Sequence, residues 1–350
     1  MFGNVEVLAR VAFIGALAGC VLSNSAALGA TIVEVSRPGC AIALSGPIEE
    51  GDHQKFLKLA EKIGLFEPSD SGEPSNKVDD ALCLNSPGGS YIEGRLISQE
   101  LRDHGIPTRV EAAADCFSSC AFIFMAGRLL GPESDATSRH LHIKGRLGFH
   151  APYIVPDETK SYSASEVSAR VVLTSKIIAD FIKFGSDSSP YNGRPFFPVS
   201  LIAELLSASP EELALVDTVE DAARWQIDLY GMKSAAVWNE NQMRQACANF
   251  LAWELDRQSE VINTDWPFPL SYKKGALDRE PVVWAVINTG GMDVQECRVQ
   301  KSAKPETGFT ICSRDEGNGI TRGSCEDGWG LWVPWYYGLS PRLPLASIPE

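Results

Sequence analysis

Residues 82–94 read LCLNSPGGSYIEG, and this stretch decides the fold. An apolar strand from Leu82 to Leu84 runs into Asn85 and the rigid Pro87. Two glycines follow, and apolar residues then return at Ile92, Leu96, Ile97 and Leu101, the spacing of a helix. A strand that passes through a Gly-Gly turn directly into a helix is the first half of a βαβ unit. Pro87 sets the entry angle, while Gly88 and Gly89 let backbone N–H groups approach a ligand closely.

Upstream, TIVEVSRPGCAIALSGPI (31–48) predicts one or two strands ended by Gly46 and Pro47, then a helix from His53 to Ile63 and a polar loop through Asn76. Downstream, IPTRVEA (106–112) predicts another short strand. The order β, α, β, α, β predicts an α/β domain with a largely parallel sheet and right-handed crossover helices. CFSSCAFIFMAG (116–127) is apolar almost all round and predicts a short buried helix stopped by Gly127. ESDATSRHLHIKG (133–145) is polar and is expected on the surface, with His140 and His142 in solvent. Ser163 and Glu166 form a capping-box pattern for a long helix reaching Gly185, with Val167, Val171, Ile178 and Ile182 expected inward. Residues 199–229 predict two short helical pieces and a strand.

The first 30 residues have the layout of a signal peptide: Arg10, an apolar run from Val11 to Leu22 and small residues near Ala27 and Ala30. That run is short for a membrane span. LAGC, ending at Cys20, is also similar to a lipoprotein cleavage box, and lipidation of Cys20 is the one route to membrane attachment. The expected location is periplasmic or secreted. Beyond the leader eight cysteines remain, an even number suited to an oxidising compartment. Cys40, Cys83, Cys116 and Cys120 fall before residue 236, and Cys247, Cys297, Cys312 and Cys325 after it, so pairing is expected within each half, with the connectivity open. Cys116 and Cys120 stand one helical turn apart, within disulfide range. Zinc is the weaker alternative, since no two cysteines are spaced as a ligand pair.

Composition divides the chain into 31–235, the α/β domain, and 236–350, where seven of the eight tryptophans lie. The second part predicts a helix with Ala246, Cys247, Phe250 and Leu251 inward, then a small, disulfide-stapled, mostly β domain. A formal net charge of −14 repels phosphate backbones, so no nucleic-acid partner is expected.

LNSPGGSYIEG, CFSSCAFIFMAG and LGFHAP, taken as a set over roughly residues 35–230, resemble the Clp protease proteolytic subunit family and its extracytoplasmic relatives, within the crotonase-like superfamily. The resemblance implies Ser118 as nucleophile, His150 as general base and the N–H groups of Gly89 and Ser119 as an oxyanion hole, with Ser119 as the competing nucleophile. For the third triad member it offers Asp217 or Glu212, neither of which aligns cleanly; Asp217 is preferred on side-chain type. The interval from Ser118 to His150 is longer than the family's, and the segment around His140 accounts for the insertion. A serine/lysine dyad through Lys144 or Lys176 is the alternative base arrangement. The implied activity is a serine peptidase acting on peptides or unfolded protein, without metal or cofactor, and family members assemble into rings or trimers. A non-catalytic peptidase-like binding or assembly protein is the second reading. An acyl-CoA hydratase or isomerase is the third, disfavoured by the acidic chain and the leader.

Overall fold

A computed structural model describes residues 29–66, 80–131, 134–151, 159–188, 194–207, 212–233, 239–259, 271–277, 280–288, 294–301, 308–315, 320–322 and 331–350. Residues 1–28 of the predicted leader, Cys20 among them, and Cys325 lie outside the described residues.

The first sheet contains β1 (Thr31–Arg37), β2 (Cys40–Ser45), β3 (Leu82–Asn85), β4 (Thr108–Val110), β8 (Arg139–His142) and β11 (Asp228–Tyr230), in that spatial order. The β1–β2 hairpin is antiparallel and every other pairing is parallel. Helices α1 (Asp52–Lys62) and α2 (Tyr91–His104) join β2 to β3 and β3 to β4. One lateral row, Leu44, Leu84, Val110, Leu141 and Leu229, is buried in a core that also takes Phe56 of α1 and Ile97 and Leu101 of α2. Each such side chain contributes about 1.5–3 kcal/mol on burial.

β5 (Asp115–Phe117) leads into α3 (Ser119–Met125), all seven residues of which are buried. β6 (Arg128–Gly131) and β7 (Ser134–Thr137) form a small hairpin before β8. β9 (Arg146–Phe149) pairs parallel with β5 and antiparallel with β10 (Ala214–Leu215). α4 (Ala164–Ser186), α5 (Val199–Ser207) and α6 (Val219–Arg224) complete this part.

The expectation for residues 133–145 needs correction. Ser134–Thr137 and Arg139–His142 form β7 and β8, and β8 lies inside the sheet between β4 and β11. His140 sits across from Arg109 on one side and Asp228 on the other, not in solvent. Burial, with Arg109 adding to it, lowers the His140 pKa to about 4, so the ring stays neutral. Arg139 is fully buried, donates to the carbonyls of Phe196 (2.8 Å) and Trp225 (3.3 Å), and is pushed down to about 9 by desolvation.

α7 (Glu240–Glu254) buries Ala246, Cys247 and Phe250 as expected, leaves Leu251 half-buried, and also buries Trp253. It lies against an antiparallel sheet of β12 (Ser271–Leu277), β13 (Glu280–Asn288), β14 (Val294–Lys301), β15 (Gly308–Asp315) and β16 (Ile320–Arg322), with β17 (Leu331–Pro334) also on β15. The core is continuous between the two parts. Asn249 donates to the carbonyls of Tyr337 and Leu339, and Trp253 donates to Glu220. Residues 341–349 then return to the α/β part through Glu220 N–H to Pro341 O, Val219 N–H to Leu343 O, Leu345 N–H to Asp217 O and Lys233 N–H to Pro349 O.

Two disulfides are described: Cys40–Cys83 ties β2 to β3, and Cys116–Cys120 ties β5 to α3. Cys247 and Cys312 are disulfide-bonded too. These bonds fit an oxidising, extracytoplasmic location. Among the described residues no helix is long and apolar enough to cross a membrane.

Candidate active site

The Gly-Gly turn is the middle of three adjacent backbone runs. On one side Ile48 donates to Gly88 O (2.9 Å) and accepts from Ser90 N–H (2.8 Å). On the other, Ser86 donates to Asp115 O and accepts from Phe117 N–H at 3.0 Å. In a parallel pairing the residue opposite a doubly bonded partner directs its own N–H away from it. Gly89, paired with Ile48, therefore aims its N–H toward the Phe117–Ser118 side. No other residue fits here, because a Cβ on Gly89 would lie 2.1 Å from Ile48 O at φ +143°.

Ser118 ends the third run. Its backbone adopts φ 57° and ψ −124°, a conformation that costs a non-glycine residue about 1–3 kcal/mol. It is held by its own N–H to Gly148 O (3.1 Å), by the Cys116–Cys120 bridge around it, and by contact with Gly88. A Cβ on Gly88 would meet the Ser118 Cβ at 2.6 Å and Oγ at 3.2 Å, so the hydroxyl lies directly against the turn. Among the described residues the N–H groups of Gly89 and Ser119 carry no hydrogen bond. The Ser119 hydroxyl is buried with no partner and packs toward Gly94 of α2. As a nucleophile it is sealed from substrate, and Ser118 is the hydroxyl at the turn.

His150 follows β9. Phe117 pairs with Gly148, so His150 stands one position beyond the point opposite Ser118. The two side chains share a neighbourhood without being hydrogen-bonded to each other among the described contacts. His150 Nδ1 lies 2.9 Å from Ala151 O. A carbonyl oxygen only accepts, so Nδ1 carries the proton and Nε2 is the ring's acceptor, the tautomer a general base needs.

The third position differs from expectation. β10 pairs with β9 as Ala214 to Phe149 and Leu215 to Gly148, which brings Leu213 opposite His150. Asp217 lies four residues farther along, about 13 Å by strand rise, exposed and at the other end of the pairing. It does not reach the imidazole; its carbonyl accepts from Leu345. Glu212 lies opposite Ala151 and is exposed, on the other face from Leu213. Lys144 lies at the far end of β9 and donates to Ala346 O at 2.9 Å, while Lys176 lies on α4, so neither is brought to Ser118.

Sequence reasoning singled out Ser118, His150 and the Gly88–Gly89 turn, which the fold brings into one neighbourhood, and missed Leu213 and the Ala151 carbonyl. Comparison with protein-family models and with curated proteins finds no match.

Proposed function

We propose that the protein is a serine hydrolase of crotonase-like, Clp-protease-like architecture that cleaves peptides or unfolded polypeptide outside the cytoplasm. The observation that carries this reading is the strained Ser118, pressed against Gly88 beside two unengaged N–H groups. A strained serine at a strand-to-helix turn, with amides converging beside it, suits attack on a carbonyl. Ser118 Oγ attacks the carbonyl carbon while its proton passes to His150 Nε2. The oxyanion is held by the Gly89 and Ser119 N–H groups, and the leaving amine takes the proton from His150. Water then repeats the sequence on the ester and frees Ser118. Ala151 O does the orienting that a carboxylate performs in a full triad.

That Asp217 does not reach His150 favours one other reading, a peptidase-like binding protein that retains the turn without turnover. A fluorophosphonate probe with intact-mass detection separates the two. Single modification of the wild type, lost in Ser118→Ala and sharply slowed in His150→Gln, is expected for the hydrolase. A folded wild type that stays unmodified establishes the binding reading instead.

A further inference from the structure

A buried carboxylate lies where the predicted leader meets the fold. Asp52, the first residue of α1, is fully buried, and its Oδ2 accepts from Ala30 N–H and from Glu49 N–H, both at 2.8 Å. Its Oδ1 accepts from Lys55 Nζ at 2.7 Å, and Lys55, half exposed, also donates to Ala30 O at 3.5 Å. Ala30 is 2% exposed. Gly29 passes so close that a Cβ there would lie 2.7 Å from Asp52 Oδ1.

An acidic residue in the first turn of a helix complements the helix dipole, and it does so with its carboxylate in water. Asp52 has given up that water, and a buried carboxylate is retained where positive charge meets it. Among the described residues the one cation paired with it is Lys55, half of which stays in solvent.

The sequence offers a second cation. Ala27-Leu28-Gly29 places small residues at the third and first positions before Ala30, the pattern read by a leader-cleaving peptidase. We propose that the leader is removed between Gly29 and Ala30, and that the α-ammonium group created on Ala30 pairs with the Asp52 carboxylate. Water cleaves the amide: its hydroxyl goes to the Gly29 carbonyl carbon and its hydrogen to the Ala30 nitrogen. The acid's proton then moves to the amine, leaving one carboxylate and one ammonium. Ala30 is enclosed once the chain has folded, so cleavage precedes folding.

Neighbouring cleavage points do not give this pair. Cutting after Ala27 leaves the Ala30 nitrogen an uncharged amide. Cutting after Ala30 puts the large Leu28 at the third position, takes Ala30 out of the core and removes a donor from Asp52. Cutting before Cys20 leaves the new charge ten residues away. The assignment rests on the predicted leader and not on chemistry at Ser118.

The other charged or titratable groups around the pair are Glu49 and Glu50 just before α1, His53 and Lys55 on it, and Glu93 of α2, which accepts from His53 N–H. β2, the strand beside β1, carries none, and the Glu34–Lys62 pair lies about 13 Å farther along β1. The Asp52 carboxylate favours the charged amine. The stabilisation is therefore full below the ordinary α-amino range, about 7.7–8.0, and is lost as pH rises through the higher value of the folded state.

The full-length protein, exported with its own leader from a bacterial host, should begin at Ala30 by intact mass. A first residue of Cys20, Leu28 or Thr31, or an uncleaved chain, overturns the proposal. Chains beginning at Ala30 or at Leu28, each folded oxidatively, isolate the charge, because both keep a donor on the Ala30 nitrogen. The Ala30 form should melt about 4 °C higher at pH 7, with the gap closed by pH 10 and absent in Asp52→Asn. Equal melting of the two wild-type forms at pH 7, or a gap that survives at pH 10 or in Asp52→Asn, overturns the pairing.

Discussion

Replacing Leu213 by Asp should speed fluorophosphonate labelling of Ser118. Leu213 and His150 form a cross-strand pair, and Val216 N–H to Leu147 O at 3.0 Å fixes the alternation so that theirs is a non-hydrogen-bonded pair, the closer kind. Cβ atoms in such pairs are about 5 Å apart. A carboxylate at that range attracts an imidazolium by about 3 kcal/mol at an effective dielectric constant near 20. The site is half exposed, and screening reduces this to about 1.4 kcal/mol, a factor of about ten in rate. Leu213 is not a core residue, so the fold should tolerate the change. The assay is the pseudo-first-order rate of fluorophosphonate labelling at pH 7, with Leu213→Asn as the uncharged control. Labelling that is no faster in the Asp variant with an intact fold, or equally fast in the Asn variant, would refute the placement of residue 213 beside the imidazole.

Gly89→Ala puts a methyl group 2.1 Å from Ile48 O at φ +143°; it should cost at least about 2 kcal/mol in urea unfolding and abolish labelling. Burial holds His140 neutral in the folded state with a pKa of about 4, so its contribution is full above the ordinary histidine range and is lost as pH falls toward 4. Asp228 is raised to about 6 by desolvation, with Arg139 opposing, so its protonation on acidification stabilises the fold and offsets that loss. Asp228→Asn removes the offset, and its melting temperature should fall more steeply than the wild type's between pH 6 and 4. Closing a 43-residue separation, the Cys40–Cys83 bridge should contribute about 4 kcal/mol, and Cys116–Cys120, four apart, about 2 kcal/mol. Serine pairs at each bridge, compared by urea midpoint, test that order.

Elements bounded by strong local signals were legible in the sequence. Glycine and proline mark the ends of β2 and β3, the capping box marks the start of α4, and an unbroken apolar run marks α3. β8 was obscured because polarity normally marks a surface loop. Here Arg139 is buried by donating to two carbonyls, and His140 lies in a lateral row of Cys83, Arg109 and Asp228 on the sheet face opposite the leucine row. The alternation of Leu141 and Ile143 was the available clue. Ser118, Gly89 and His150 were singled out because each sits in a short motif. The residue facing His150 was not, because it is set by the register of a two-residue strand more than sixty positions away, and no local pattern encodes that. Asp217 was chosen on side-chain type, and type says nothing about which end of a pairing a residue occupies. Val167, Val171, Ile178 and Ile182 of α4 were expected inward, yet Val167, Val171 and Ile182 are exposed and Ile178 is half-buried; α4 instead buries Phe181, Phe184 and Gly185, near its ties to α2 through Asp180 and Asp187.

The clasp formed by residues 341–349 bears on how firmly β10 is held. Leu345 donates to Asp217 O and Leu343 O accepts from Val219 N–H, so the segment that includes β10 is braced from two sides, by β9 and by the clasp. Loosening residues 341–349 would release one of those two braces and leave the Cys116–Cys120 bridge around Ser118 in place.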